Sequence, residues 1–453
     1  MTQIIVYSDL YNAFIFADLN KEKARWVRDA GGWFIFNGKY WEKDSREQIK
    51  SMAIDTFRTI ATRLAPLDSF QARNHIKKSA SNGALNSMVD CAKAFLSYAT
   101  DDLDKDHYAF NCRNGTYNLQ TKEFYPFRAS DMMTKTGYAE YKPDDVCPLW
   151  EKFIDEIFLG DKELIAFAQR IIGYSMTGLN KEQCMFILYG HGRNGKSKLI
   201  EAVVNILGDY AMNCPSSTFA VKQGNPVPND VARLKGARMV TAIESNQGIN
   251  LDESMVKQMT GGDRITARFL NKEFFEFTPT FKIFFATNHK PNIRGTDTGI
   301  WRRISMIPFD LNVTEEQEDK QLGEKLQKEA SGILNWMIRG YNQWESGGLQ
   351  IPEKVRLTTN TYKEEEDDIG EFIKQECTYD KKGVIVSHEF RERFKEAMGY
   401  YKGHKTMNEY MTRHGYKAPG DNRVMVKGKQ VRAYVNLKWN DGSSNQPEIT
   451  WQE

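Results

Sequence analysis

Apolar positions along the chain change their spacing three times. Trp150, Phe153, Ile154, Ile157 and Phe158 fall at i, i+3, i+4, i+7 and i+8, one stripe of an amphipathic helix. Leu164, Phe167, Ala168, Ile171 and Ile172 renew that stripe after Gly160-Asp161. From residue 184 the pattern shifts to short apolar runs, Met185 to Tyr189, Met239 to Ile243, Ile283 to Thr287 and Ile304 to Ile307. Buried strands separated by helices, as here, predict an α/β unit with a parallel sheet. Ahead of it, GGWFIFNGKYWEKD places Asn37-Gly38 between two apolar runs, and FNCRNGTYNL does the same with Asn114-Gly115. Both predict hairpins, with helix over residues 46 to 99 between them.

Beyond residue 353 an acidic helix, KEEEDDIGEFIKQE, is predicted to bury Ile369, Phe372 and Ile373. A second helix is predicted to start at Ser387 as N-cap, and a third to span about 404 to 414. Two strands around Lys427-Gly428-Lys429 complete the unit. Three domains follow: 1–130, an α+β amino-terminal domain; 131–350, a helical collar and an α/β core; 351–453, a winged-helix-like domain.

Composition narrows the partners. A net charge of +2 over 453 residues makes any nucleic-acid surface local. The six cysteines, at 91, 112, 147, 184, 214 and 377, form no CxxC pair and no zinc spacing, which points to a reducing, cytoplasmic setting. The opening MTQIIVYSDLYNAFIF has no signal-peptide layout, and no apolar run is long enough to span a membrane. DDLDKD, Asp101 to Asp106, reads as an exposed loop rather than a two-metal site.

The chemistry begins at GHGRNGKS, Gly190 to Ser197, which satisfies G-x-x-x-x-G-K-[ST] between a strand and a helix. Glycines let backbone N–H groups wrap phosphates, and the helix amino terminus adds a positive dipole. Lys196 offers a point charge to the β- and γ-phosphates of ATP and Ser197 a hydroxyl to Mg²⁺. The binding loop is assigned Gly190, Gly192, Asn194, Gly195, Lys196, Ser197 and Lys198. In RMVTAIES, Glu244 ends a strand and can polarise water or hold the Mg²⁺ shell, two roles the residues leave open. KIFFATN ends on Asn288, whose carboxamide can orient the water or touch the γ-phosphate.

GHGRNGKS, AIES, MTGGDRITAR, FFATNHKP and GIWRRISMIPF, in that order, resemble superfamily 3 helicases of the phage/plasmid and poxvirus primase-helicase kind. The resemblance spans roughly residues 90 to 440 and implies an AAA+-like P-loop NTPase core, an ATP-hydrolysing DNA helicase and a hexameric ring on single-stranded or forked DNA. It implies an arginine finger at Arg302, with Arg303 as rival, reaching a neighbour's γ-phosphate. Lys257 is similar to a position that senses the adjoining nucleotide. GGDRITARFLNKEFFEFTP reads as a hairpin, with strands Ile265 to Leu270 and Phe274 to Phe277, whose Arg268, Phe269 and Lys272 suit a single strand by charge and stacking. In the family that hairpin lines the central channel. In the carboxy-terminal unit Lys405, Asn408, Thr412, Arg413, Arg423, Lys427, Lys429 and Arg432 are candidate DNA contacts, with a protein-binding module as the alternative. Too few residues precede the resemblance for a primase-polymerase domain, so a separate primase or polymerase is expected to make primers. The competing function is an ATP-switched initiator or loader without processive unwinding.

Overall fold

The computed structural model describes residues 7–222, 229–244, 249–270, 272–293, 298–416, 423–426 and 429–441. The centre is a five-stranded, wholly parallel sheet in the order Ile304–Pro308, Met185–Tyr189, Lys282–Thr287, Met239–Ile243, Ala211–Asn213. Four of these strands follow from their apolar runs. The short edge strand Ala211–Asn213, with only half-buried or exposed side chains, carries no such signal. Because every strand runs the same way, the sheet has one amino edge and one carboxyl edge, and the chemistry divides between them.

Helices Pro148–Ile157 and Lys162–Tyr174 bury the apolar stripes read from the sequence, and the second packs on a further helix, Ala330–Gly347. The last two cross at glycines. A Cβ on Gly173 would lie 2.1 Å from the Tyr341 nitrogen, and one on Gly340 would lie 2.0 Å from the Gln169 carbonyl oxygen. Close backbone approach, not turn formation, requires glycine there.

The amino-terminal region has its own core, with Phe16, Trp33, Ile60 and Met88 among its members. Its sheet runs Trp41–Lys43, Gly32–Phe36, Ala24–Val27, Ser97–Tyr98. The helical expectation for 46 to 99 resolves into three helices, Gln48–Leu64, Phe70–Ser79 and Asn82–Ala92. Gly38 turns the first hairpin with φ of +93°. In the second the turn is Arg113-Asn114, and Gly115 already pairs with Cys112. Glycine is needed at 115 for another reason: a Cβ there would meet the Phe124 ring at 2.6 Å.

The carboxy-terminal unit corrects three expectations. The acidic helix is two, Glu353–Glu365 and Asp368–Glu376, broken where Asp367 accepts the Gly370 N–H and caps the second. Ser387 is not an N-cap; it is buried inside the helix Ser387–Met398, capped by Val386. A third strand, Cys377–Val386, joins the expected pair Arg423–Val426 and Lys429–Trp439 in an antiparallel sheet. Its mixture of exposed lysines and a bulge hid it from pattern reading. All six cysteines are free, and none of the described helices is long and apolar enough to cross a membrane.

Candidate active site and nucleic-acid surface

The glycine-rich loop leaves Tyr189 at the carboxyl edge and enters the helix Lys196–Leu207. Gly195 takes φ of +85°, and a Cβ there would lie 2.4 Å from Ile157 Cγ2, so both backbone and space require glycine. Asn194, buried, donates to the carbonyls of His191 at 2.6 Å and Phe309 at 3.2 Å, and these bonds shape the loop. Lys196 is only 5% exposed. Its ammonium donates to the Gly190 carbonyl, to Asn194 Oδ1 at 3.0 Å and to Asn288 Oδ1 at 3.1 Å. No carboxylate is among these partners, and burial lowers its pKa to about 8.

The strand order explains why Asn288 is there. Lys282–Thr287 lies between the loop strand and Met239–Ile243, so its tip faces both. Glu244, just past the end of Met239–Ile243, is 4% exposed. Its Oε2 lies 2.8 Å from the Thr287 hydroxyl, while Oε1 is buried with no hydrogen-bond partner among the described residues. Burial raises the Glu244 carboxyl above its usual range. Thr287 went unremarked in the sequence, since a threonine inside an apolar strand signals only β propensity. Ser197 is exposed at the helix start, and Lys198 pairs with Glu201 at 3.0 Å. A cavity of about 680 Å³ opens beside Arg193 to Lys198, with Phe153, Ile157, Leu311 and Val313 as its apolar wall. The edge thus joins a buried cation, an orphaned carboxylate oxygen and a helix amino terminus.

Two stretches of the chain match known families: residues 13–159 match the family described as D5 N terminal like, and residues 188–303 a family of unknown function designated DUF5906. Over 334 residues the chain is 28% identical to a protein of Acanthamoeba polyphaga mimivirus named a putative helicase, covering 67% of this chain and 34% of that one. Together these matches support a phage- or virus-type primase-helicase protein whose residues 13–159 are D5-like. A protein of Invertebrate iridescent virus 6 with the same descriptive name is 24% identical over 66% of this chain and 35% of its own length. One named a putative primase, from African swine fever virus, is 35% identical over 27% of this chain and 13% of its own. The chain spans about a third of the length of the first two of these relatives. In fold it is similar to the apo NrS-1 C-terminal region, at a TM-score of 0.54 and 13% identity, covering 94% of this chain and 100% of that one.

Arg302, Arg303 and the base of the hairpin lie toward the amino edge. Arg302 and Arg303 immediately precede the strand Ile304–Pro308, so five residues, roughly 16 Å, separate them from the edge that holds Lys196. Arg302 is exposed and touches only Gln183 Oε1 at 3.4 Å among the contacts described, whereas Arg303 donates to its own chain's Gly299 carbonyl at 2.6 Å. Lys257 lies half-buried, 3.8 Å from Glu253.

The hairpin is shorter than its sequence pattern, with strands Ile265–Ala267 and Phe275–Phe277. Arg268 lies over the Phe274 ring at 4.6 Å, Phe269 stacks on Phe275 at 5.7 Å, and Lys272 is exposed. Leu270 and Phe274, 69% and 58% exposed, enlarge the apolar tip beyond the single aromatic picked from the sequence. Asn271 lies outside the described residues.

In the carboxy-terminal unit Lys405 and Arg413 are exposed on the helix His404–Arg413. Asn408 is not available as a DNA contact: it accepts from Tyr434 at 2.8 Å and lies 2.9 Å from His404 Nδ1. Lys427 lies outside the described residues, and only the backbone of Lys429 is described.

Proposed function

We propose that this chain is an ATP-driven replicative DNA helicase that works as a ring, hexameric by family resemblance. The observation that carries this reading is the split of chemistry across one parallel sheet. Lys196, Asn288 and Glu244 meet at the carboxyl edge, while the exposed Arg302 sits at the amino edge. Within one chain Arg302 lies at the edge opposite its own loop; in a head-to-tail ring it would face a neighbour's. Single-edge residues then bind nucleotide, and the finger arrives from the next protomer.

The carboxyl edge fits ATP with Mg²⁺. The buried Lys196 lacks a carboxylate and suits the β- and γ-phosphates, and the apolar cavity wall suits a base. Ser197 and the orphaned Glu244 oxygen would hold the metal shell, which would neutralise charge on the leaving phosphates. Thr287 orients Glu244 to polarise the attacking water, and Asn288 positions that water or the γ-phosphate. The hairpin tip, with Arg268, Phe269 and Lys272, would grip a single strand through charge and stacking.

Residues 368–441 run helix, strand, helix, helix, strand, strand. That order supports a winged-helix module, with Lys405 and Arg413 on the helix that would face DNA. The decisive experiment measures strand displacement on a forked duplex and hydrolysis stimulated by single-stranded DNA. Stimulated hydrolysis with displacement supports the motor. Stimulated hydrolysis without displacement leaves the ATP-switched initiator or loader, and no hydrolysis at all rejects both.

A further inference from the structure

The amino edge holds a second large concavity, away from the nucleotide loop. About 700 Å³ in volume, it opens between the segment Thr100–His107 of the amino-terminal region, the turn around Gly236 and the base of the hairpin. Six cations line it, Lys105, Lys135, Arg233, Lys235, Arg238 and Arg264, against the three carboxylates Asp101, Asp104 and Glu276. Those carboxylates are already engaged. Asp104 accepts the Thr134 N–H at 2.7 Å, Asp101 lies 3.5 Å from Lys235, and Glu276 lies 3.7 Å from Arg264. Among the described residues no carboxylate pairs with Lys135 or Arg233.

The floor adds one buried guanidinium, with a buried lysine behind it. Arg238 is 3% exposed, stacks on Tyr210 at 4.4 Å and donates to the carbonyls of Met176, Ala109 and Asp106 at 2.5, 2.7 and 3.3 Å. Lys282 is 1% exposed and donates to the carbonyls of Thr177 at 2.5 Å and Leu179 at 3.1 Å. Carbonyls solvate Arg238, which Asp104 and Asp106 also attract. Burial and the neighbouring Arg238 hold the Lys282 pKa well below its ordinary value, so the charge beneath the cleft is chiefly that of Arg238. Held in low dielectric below an open cleft, such charge projects a positive potential into it. Phe269, 44% exposed, stands at the rim and presents a ring. Two glycines keep the wall open: a Cβ on Gly178 would meet His107 Nδ1 at 2.4 Å, and one on Gly236 would lie 3.1 Å from Lys135 Cε.

We propose that this cleft binds the sugar-phosphate backbone of a single DNA strand, with Lys135 and Arg233 as phosphate contacts, and hands the strand to the hairpin tip through Phe269. The inference rests on the reading of the chain as a DNA motor and extends it, by giving the amino-terminal region a share of the DNA path. An anion is called for by the charge, an extended one by the cleft's length across three segments, and a base-bearing one by the exposed ring.

The test uses the full chain and a fluorescent oligothymidylate, with anisotropy read across a salt series. Lys135→Gln with Arg233→Gln should weaken binding at low salt and flatten the log K against log [salt] slope by about 1.4, at roughly 0.7 per phosphate contact on a single strand. A slope equal to the parent's overturns the inference. Because both side chains are at the surface of the cleft, the variant's melting temperature should match the parent's, and a matched Lys78→Gln with Lys21→Gln control should keep the parent slope. A lowered melting temperature moves the decision to photo-cross-linking of a 4-thiothymidine oligonucleotide to the parent chain. Adducts on Phe269 or Thr100–His107 support the inference; adducts confined to other segments overturn it. Competition arms separate the sources of phosphate: if inorganic pyrophosphate erases the slope difference while oligonucleotide stays bound, the cleft takes a small anion and the inference fails. A parent chain that binds no oligonucleotide fails the broader motor reading instead.

Discussion

Lys196 is held by three oxygen acceptors and no carboxylate, with burial lowering its pKa to about 8. An ammonium so placed is charged below that value and loses its proton above it. The kcat/KM for ATP, which reports ionisations of the free enzyme, should therefore fall as pH rises past about 8. Glu244 titrates in the opposite sense: its carboxyl is raised by burial, so turnover should fall on acidification above the ordinary carboxylate range. A pH–rate profile checks both limbs. Lys196→Ala should abolish turnover, and Glu244→Gln should bind ATP while lowering kcat by roughly 10²–10⁴. Normal turnover by Glu244→Gln would remove it from the site. The motif made Lys196 and Asn288 visible as candidates, but their 3.1 Å contact depends on two strands 92 residues apart being neighbours. The bond from Thr287 to Glu244 and the packing of Ile157 on Gly195 carry no local signal for the same reason.

Helix crossings and the hairpin set the next scale. Gly173 and Gly340 let two helices touch backbone to backbone. Gly340→Ala should force them apart and cost about 1–3 kcal/mol, read as a lower midpoint in denaturant. An unchanged midpoint would mean that the crossing adjusts freely. The hairpin pattern was legible as two strands, yet pairing stops at Ala267 and Phe275. Beyond them Arg268 turns onto Phe274 and Phe269 onto Phe275, so side-chain stacking replaces ladder bonds at the tip. Arg268→Ala with Lys272→Ala should lose stimulation of hydrolysis by single-stranded DNA and lose strand displacement. Retained displacement would take the hairpin out of the DNA path.

At the scale of the whole molecule, the helix Glu353–Glu365 and the residue after it tie the segment following Lys282–Thr287 to the carboxy-terminal unit. Tyr362 donates to the Pro291 carbonyl, Lys290 pairs with Glu365, and Glu366 accepts the Ile293 N–H at 2.8 Å. A change at Asn288 thus has a short covalent and hydrogen-bonded route to residues 368–441. The separation of Arg302 from Lys196 makes the strongest whole-assembly prediction. Arg302→Ala should lower kcat by roughly 10³ or more while ATP still binds. Mixed with Lys196→Ala, it should recover activity, because one interface then joins an intact loop to an intact finger. Mixtures no more active than the two variants apart would show that Arg302 does not act between chains.

By itself the sequence determined the four apolar strands, the helical stripes, the Gly190–Ser197 loop and the candidate residues at strand ends, because periodicity and short motifs are local properties. It missed the edge strand Ala211–Asn213 and the strand Cys377–Val386, whose mixed polarity is settled by neighbours rather than by pattern. Only the tertiary structure decided which edge each residue occupies, and that Arg238 and Lys282 lie buried among carbonyls beneath a cationic cleft. A cation reads the same in sequence whether water or backbone oxygen solvates it; the difference arises when distant segments close around it.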